Sequence, residues 1–327
     1  MSELFDTLFQ IDWRIFMAGA EAWLSGQNPY AQLPSATFGS FSAGAFAYPP
    51  TALPWLALFV PLGGLGYYVW TLLELGLWWV LIGKTQRSQL LLVLWSPLLL
   101  HLFEGQSTFM AILVLWAAAR APRRGWLWGL ALAWAMTKPQ AALLPLLWLL
   151  WHDRQSPQRW RLLGGIALGT LLLALPPTLA NPGIWADWLA ALPAYRARIL
   201  QMGAWQGPSV VLFGLAAWLW YRSRRGGWQW WLAAGAFPQT SFYSMVALMP
   251  VLRPRPNNWS LAGLALAGVL QGPMQLDLAN GTSLVLLPWI LCGHLLAAWM
   301  LAGGPQPAPI PAPAVPATPM PEQRRIQ

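Results

Sequence analysis

The sequence predicts an all-α, polytopic integral membrane protein whose helices cross the bilayer many times and are often short or broken. Two observations lead to this fold class. Hydrophobic residues make up 57% of the 327 residues and charged residues only 9%, whereas a soluble domain is about one quarter charged. Several uncharged stretches also approach the roughly 20 apolar residues that a membrane-spanning helix needs. A soluble fold this poor in charge could not cover its own surface, so the bilayer is its natural solvent.

The predicted spans are of two kinds. The continuous ones are Tyr67–Gly83, Leu162–Leu179, Pro208–Tyr221, Trp259–Gln275 and Thr282–Ala302. Three longer apolar stretches are interrupted by polar residues: Gln89–Ala119 at Glu104-Gly105-Gln106, Gly125–Trp151 at Lys138-Pro139-Gln140, and Gly226–Leu252 at Pro238-Gln239-Thr240. We predict two short helices in each interrupted stretch, because broken backbone persists inside a membrane only against protein or a wet cavity.

The net charge is +9, but the distribution of the basic residues along the chain indicates membrane topology rather than nucleic-acid binding. Fifteen of the 19 Lys and Arg residues lie in six clusters between spans or in the tail. The clusters are Lys84/Arg87, Arg120/Arg123/Arg124, Arg154/Arg159/Arg161, Arg222/Arg224/Arg225, Arg253/Arg255 and Arg324/Arg325. Basic loops are typically cytoplasmic. We therefore expect a multi-pass protein of the cell membrane, with residues 180–207 and the breaks at Glu104, Gln106 and Lys138 facing outward.

The predicted domain organisation is simple. Residues 1–302 form a single transmembrane domain with outer polar segments at 1–50 and 180–207. Residues 303–327 form a tail with eight prolines between positions 305 and 321, a composition typical of disorder. The chain has no phosphate-binding loop, dinucleotide fingerprint or metal-ligand spacing, so we expect neither a cofactor nor a metal.

Asp12 precedes a stretch, Trp13–Leu24, that is typical of a helix lying at the membrane interface and ending at Gly26. Two interpretations of Asp12 remain open. Aspartate is a favourable N-cap residue, and a carboxylate beside a membrane-embedded pocket can also act as a general base. The two interpretations are compatible.

An ordered series of short motifs accompanies Asp12. The series is Gly26-Gln27-Asn28-Pro29-Tyr30, Tyr48-Pro49-Pro50, Pro61-Leu62, Gly105-Gln106 and Lys138-Pro139, followed by Asn181-Pro182-Gly183-Ile184-Trp185, Gln206-Gly207-Pro208-Ser209, and Phe242-Tyr243 before Pro250. Over residues 10–255 this series resembles glycosyltransferase family 87, a GT-C family of the polyprenyl-phosphate-mannose-dependent type. The chain differs in that only eleven residues precede Asp12, where family members carry a complete transmembrane helix.

The resemblance implies transfer of a hexose, with mannose as the expected sugar, from a polyprenyl-phosphate carrier to a lipid-linked or cell-envelope acceptor, with inversion. The partners would be this donor, a glycolipid or envelope acceptor and membrane lipids, with no nucleic acid. Asp12 would be the catalytic base. The cations outside the clusters, Lys138, Arg196 and Arg198, would bind the carrier phosphate. Other residues implied to line the pocket are Tyr30, Tyr48, Glu104, Gln106 and Tyr243.

The sequence is compatible with several alternatives. Arg196 and Arg198 could contact lipid headgroups from an amphipathic helix, and Lys138 could pair with a buried carboxylate such as Glu104. A lipid-linked-sugar flippase or transporter would use the same broken helices and intramembrane charges. A catalytically inactive GT-C-like scaffold is a third interpretation.

Overall fold

The computed structural model describes residues 9–31, 37–38, 41–42, 46–82, 87–121, 124–201, 207–223, 227–235, 242–254, 257–280 and 287–302. Over these ranges the chain is helical, as predicted, apart from connecting turns and one antiparallel pair of two-residue strands, β1 (Thr37–Phe38) and β2 (Phe41–Ser42). The predicted tail, 303–327, lies outside the described residues.

The α-helices range in length from 5 to 23 residues. The first half of the chain forms α1 (Ile11–Leu24), α2 (Leu53–Ala57), α3 (Leu65–Ile82), α4 (Ser96–Glu104), α5 (Thr108–Arg120), α6 (Trp126–Ala135) and α7 (Pro139–His152). The second half forms α8 (Arg159–Ala180), α9 (Ile184–Gln201), α10 (Gly207–Arg222), α11 (Trp228–Ala234), α12 (Asn258–Asn280) and α13 (Leu287–Leu301). Short 3₁₀ helices cover Pro50–Ala52, Val60–Leu62, Arg87–Leu94 and Phe242–Leu248.

The predicted spans coincide with helices. Helices α3, α8, α10, α12 and α13 cover the five continuous stretches, apart from Ala302 and residues outside the described ranges. Within the described part of the chain, α8 is the one unbroken helix that passes a test of length and hydropathy for crossing a membrane, and α4 with α5 passes as a bent pair. The multi-pass character therefore stays a prediction.

Two of the three predicted breaks lie in described residues, and both are confirmed. The axes of α4 and α5 differ by 117° across residues 105–107. Gly105 ends α4 with φ +73°, a backbone conformation that favours glycine. Lys138 separates α6 from α7 with φ −117° and ψ 67°, because a residue that precedes proline is disfavoured in the α conformation. The predicted break at 238–240 lies outside the described residues.

Glycines bring α6 and α8 into close contact. A Cβ atom on Gly129 of α6 would lie 2.6 Å from the Cα of Gly165 on α8 and would collide with the carbonyl oxygen of Leu162. The two backbones therefore touch directly, as is common where small residues line helix interfaces in membranes. This contact fixes α6, which leads into the break at Lys138.

Aromatic side chains of α2, α3 and α6 pack together next to α1. Trp13 of α1 stacks on Trp70 of α3 with ring centroids 6.1 Å apart, and Trp55 of α2 stacks on Trp70 at 5.1 Å. Trp134 of α6 meets Trp55 edge-on at 5.4 Å. These contacts hold the start of α1 against α2, α3 and α6, the helix that leads into the break at Lys138.

The predicted topology can be tested by cysteine labelling, in a Cys292→Ala background that removes the single native thiol. Pro182 lies exposed between α8 and α9, and Arg222 lies exposed at the end of α10. We expect Pro182→Cys to react with an impermeant thiol reagent on intact cells and Arg222→Cys to react only after permeabilisation, because basic loops are typically cytoplasmic. The reverse labelling pattern would exclude this topology.

Candidate active site

The first turn of α1 is fixed against the end of α4. The backbone N–H of Gln10 donates to the carbonyl oxygen of Phe103 at 2.9 Å. Gln10 occupies the N-cap position with φ 60°, and Asp12 lies in the first turn of the helix. The N-cap interpretation of Asp12 is therefore wrong, because Gln10 holds that position. The Asp12 carboxylate is left to make contacts away from its own backbone.

Gln106, at the bend between α4 and α5, joins three other side chains. Its Nε2 donates to Oδ2 of Asp12. Its Oε1 accepts from the Lys138 Nζ at 2.7 Å and from the Tyr48 hydroxyl at 3.1 Å. The side chain is only 1% exposed. Gln106 thus connects a carboxylate on α1 to an ammonium group at the other helix break.

Lys138 is buried at its break, with 2% of the side chain exposed. Its Nζ also donates to the Tyr48 hydroxyl and lies 4.3 Å from the centroid of the Tyr48 ring, close enough for a cation–π attraction. The Tyr30 hydroxyl donates to the Tyr48 carbonyl oxygen at 2.9 Å. Tyr30 and Tyr48 therefore tie the loop after α1 to the ammonium group.

Glu104 completes a set that we call the Asp12 cluster: Asp12, Tyr48, Glu104, Gln106 and Lys138. The Glu104 carboxyl lies close enough to interact electrostatically with both Asp12 and Lys138. Its buried Oε2 has no hydrogen-bond partner among the described residues. Lys138 thus donates a hydrogen bond to Gln106 and also interacts electrostatically with Glu104.

The surroundings change the acidity of Asp12. Burial raises the pKa of Asp12 above its usual value, since a charged carboxylate is poorly solvated there. The positive charge of Lys138 and the hydrogen bond from Gln106 act in the opposite direction and are smaller effects. A carboxylate with a raised pKa is a stronger base, as acceptance of a proton from a hydroxyl group requires.

Gly105 allows α1 to approach the bend. A Cβ atom at this position would lie 2.7 Å from the Cβ of Trp13, the residue after Asp12. Together with its positive φ, this contact excludes larger residues without local movement. The glycine that breaks the helix therefore also brings Asp12 and Gln106 within bonding distance.

The remaining predicted site residues are only partly described. Arg196 and Arg198 lie on α9, and Tyr243 lies on the 3₁₀ helix Phe242–Leu248, but the side chains of all three fall outside the described residues. Among the residues that the structure describes, no group of three His, Cys, Asp or Glu side chains could hold a metal ion.

Sequence reasoning missed the polar contacts that α3 makes with the bend. The Trp70 indole N–H donates to the Gln106 carbonyl oxygen at 3.3 Å, and the Tyr67 hydroxyl donates to the Leu102 carbonyl oxygen at 2.7 Å. The sequence contains a pattern that indicates such contacts, because Tyr67, Trp70 and Glu74 recur at helical spacing on an otherwise apolar helix.

Comparison with known proteins gives one match. The model of "Glycosyltransferase family 87" matches residues 46–276, more than two thirds of the chain. The matched part contains Tyr48, Glu104, Gln106 and Lys138, whereas Asp12 and Tyr30 precede it. No curated protein and no solved structure gives a significant match.

Proposed function

The chain belongs to glycosyltransferase family 87, and we propose that it transfers a hexose, specifically mannose, from a polyprenyl-phosphate carrier to a lipid-linked or cell-envelope acceptor. The family is one of membrane glycosyltransferases, so transferase activity is the premise. The proposal adds the donor, the sugar, the acceptor class, inversion at the anomeric carbon and a multi-pass location in the cell membrane.

One observation supports the proposal above others: Gln106 joins a partly buried carboxylate to a buried ammonium group, where two helix breaks meet. Transfer from a sugar phosphate needs little else. The leaving phosphate departs without protonation, so the protein must take a proton from the acceptor hydroxyl and stabilise negative charge on the phosphate. A carboxylate supplies the first function and a cation the second.

The proposed step is a single displacement. The acceptor oxygen forms a bond to the anomeric carbon as the bond from that carbon to the phosphate oxygen breaks. The acceptor proton passes to the Asp12 carboxylate, and the electron pair of the broken bond stays with the phosphate. Attack opposite the leaving group inverts the configuration at the anomeric carbon.

The other residues have supporting roles in this proposal. Lys138 would bind the carrier phosphate, and Arg196 and Arg198 would add charge from α9. Gln106 would orient the Asp12 carboxylate, while Tyr30, Tyr48, Glu104 and Tyr243 would line the pocket. The hydrogen bonds from Lys138 to Gln106 and Tyr48 would then be exchanged in part for bonds to the phosphate.

The proposal can be tested on the purified protein in liposomes that contain an envelope glycolipid fraction. We expect radiolabelled mannose to move from polyprenyl-phosphate-mannose to a glycolipid, with release of polyprenyl phosphate. Polyprenyl-phosphate-glucose and a nucleotide sugar serve as competing donors. Use of the nucleotide sugar in place of the lipid-linked one would exclude the proposed donor, and passage of the labelled lipid across the bilayer without transfer would favour a flippase.

A further inference from the structure

Glu74 is a buried carboxyl group outside the Asp12 cluster. It lies on α3 and is 1% exposed. Its Oε1 accepts a hydrogen bond from the backbone N–H of Met110 at 3.2 Å and lies 3.3 Å from Nε2 of His101, which is fully buried. A carboxyl group buried this far from water is costly unless it has a specific task.

The two partners of Glu74 lie on opposite sides of the bend. His101 belongs to the last turn of α4, and Met110 is the third residue of α5. The first N–H groups of a helix have no acceptor within that helix, and a carboxylate there is also favoured by the helix dipole. A single oxygen of Glu74 therefore connects the end of one helix to the start of the next.

Other side chains on the same face of α3 strengthen this connection. Tyr67 bonds the carbonyl oxygen of Leu102, and Trp70 bonds that of Gln106. Residues three and four apart share one face of a helix. Helix α3 therefore holds the bend at several points between residues 101 and 110, and Glu74 is the one residue of this set that contacts both helices.

We propose that Glu74 is a positioning residue for glycosyl transfer, which holds the bend so that Gln106 connects the Asp12 carboxylate to Lys138. The inference rests on the proposed function for its catalytic consequence. Its geometric basis is the pair of contacts from Glu74 to Met110 and His101, which do not involve Asp12. If Glu74 only stabilised the fold, its loss would act independently of Gln106, whereas a positioning residue acts through Gln106.

A double-mutant cycle separates these roles. We expect Glu74→Leu to lower kcat roughly tenfold or more with little change in KM, since small misplacements of catalytic groups are costly. Glu74→Gln should stay close to wild type, because its amide oxygen can accept from the Met110 N–H and its amide group can pair with either tautomer of His101. In a Gln106→Leu background, Glu74→Leu should have almost no further effect. Full additivity of the two losses would overturn the proposal.

A second readout does not require turnover. A hydrophobic carbodiimide modifies protonated carboxyl groups, so the pH midpoint of Asp12 labelling, measured by mass spectrometry, reports its protonation. The groups that face Asp12 are Gln106, Lys138 and Glu104. Because the Gln106 hydrogen bond favours the ionised carboxylate, Glu74→Leu should shift the labelling midpoint to higher pH, towards that of Gln106→Leu.

The two readouts distinguish the possible failures. A shifted labelling midpoint in a protein that transfers no mannose would exclude the proposed function and keep the positioning role. Normal mannose transfer with an unshifted midpoint and additive losses would exclude the positioning role alone. If Glu74→Leu does not accumulate, Glu74→Asp keeps the carboxylate but shortens its reach, and the same shift of smaller size is expected.

Discussion

Replacement of Asp12 by asparagine should lower the rate of glycosyl transfer by roughly two to four orders of magnitude, the range expected for loss of a general base. The fold should persist, because Gln10 rather than Asp12 occupies the N-cap. The side-chain carbonyl oxygen of the introduced asparagine could still accept the hydrogen bond from Gln106. Loss of the attraction between the Asp12 charge and the positive end of the helix dipole lowers the free energy of unfolding by about 0.3–1 kcal/mol. The measurement is kcat with polyprenyl-phosphate-mannose, alongside the melting temperature in detergent.

The matched control for Asp12 is Glu21→Gln. Glu21 is an exposed carboxylate on the same helix, so its neutralisation changes the charge of α1 without touching the Asp12 cluster, and transfer should be unaffected. Normal turnover by Asp12→Asn would show that Asp12 is not the base. Equal losses in both variants would show that the charge of α1 matters rather than the position of one carboxylate.

Removal of the Lys138 charge should have the second largest effect. A charge-assisted hydrogen bond to phosphate contributes about 1.5–3 kcal/mol, so Lys138→Met should weaken carrier binding roughly tenfold or more. The charge of Lys138 also favours the ionised form of Asp12. Loss of the Lys138 charge raises the pKa of Asp12. Because the ionised carboxylate is the active base, the acidic limb of the pH profile of kcat should move to higher pH.

The measurement is binding of a polyprenyl-phosphate analogue to purified Lys138→Met, Arg196→Ala and Arg198→Ala proteins, with a pH profile of kcat for the first. Arg159→Met is the control, since Arg159 is exposed in a basic cluster, donates to the Arg154 carbonyl oxygen and lies over the Trp160 ring. Unchanged affinity in all three site variants would mean that these cations contact lipid headgroups or internal carboxylates instead of the carrier.

The sequence was sufficient to predict the helix breaks, because their causes are local. Gly105 and Pro139 act on the backbone of their own and adjacent residues, and both breaks occur as expected. The order of the motifs along the chain also groups Asp12, Tyr48, Gln106 and Lys138. The contacts among these four residues agree with that grouping, while their roles stay predictions.

Contacts between residues far apart along the chain could not be predicted from the sequence. Gln106 bonds Asp12 across 94 positions, and Lys138 bonds Tyr48 across 90. Nothing in the local pattern shows that Gln106 lies between the carboxylate and the ammonium group. The N-cap interpretation of Asp12 failed for the same reason, because the backbone bond from Gln10 to Phe103 sets the start of α1.

The bend between α4 and α5 affects which donors could reach Gln106. In the proposed topology Arg120 lies at the cytoplasmic surface, and the 13 residues of α5 raise the bend by at most about 20 Å. The hydrocarbon core is about 30 Å thick, so Gln106, two residues before α5, would lie below its outer edge. A water-soluble nucleotide sugar would have to bring its charged diphosphate out of water to this depth. A polyprenyl carrier, whose chain already lies in the hydrocarbon, needs only to draw one phosphate inward, so depth alone would select for lipid-linked donors.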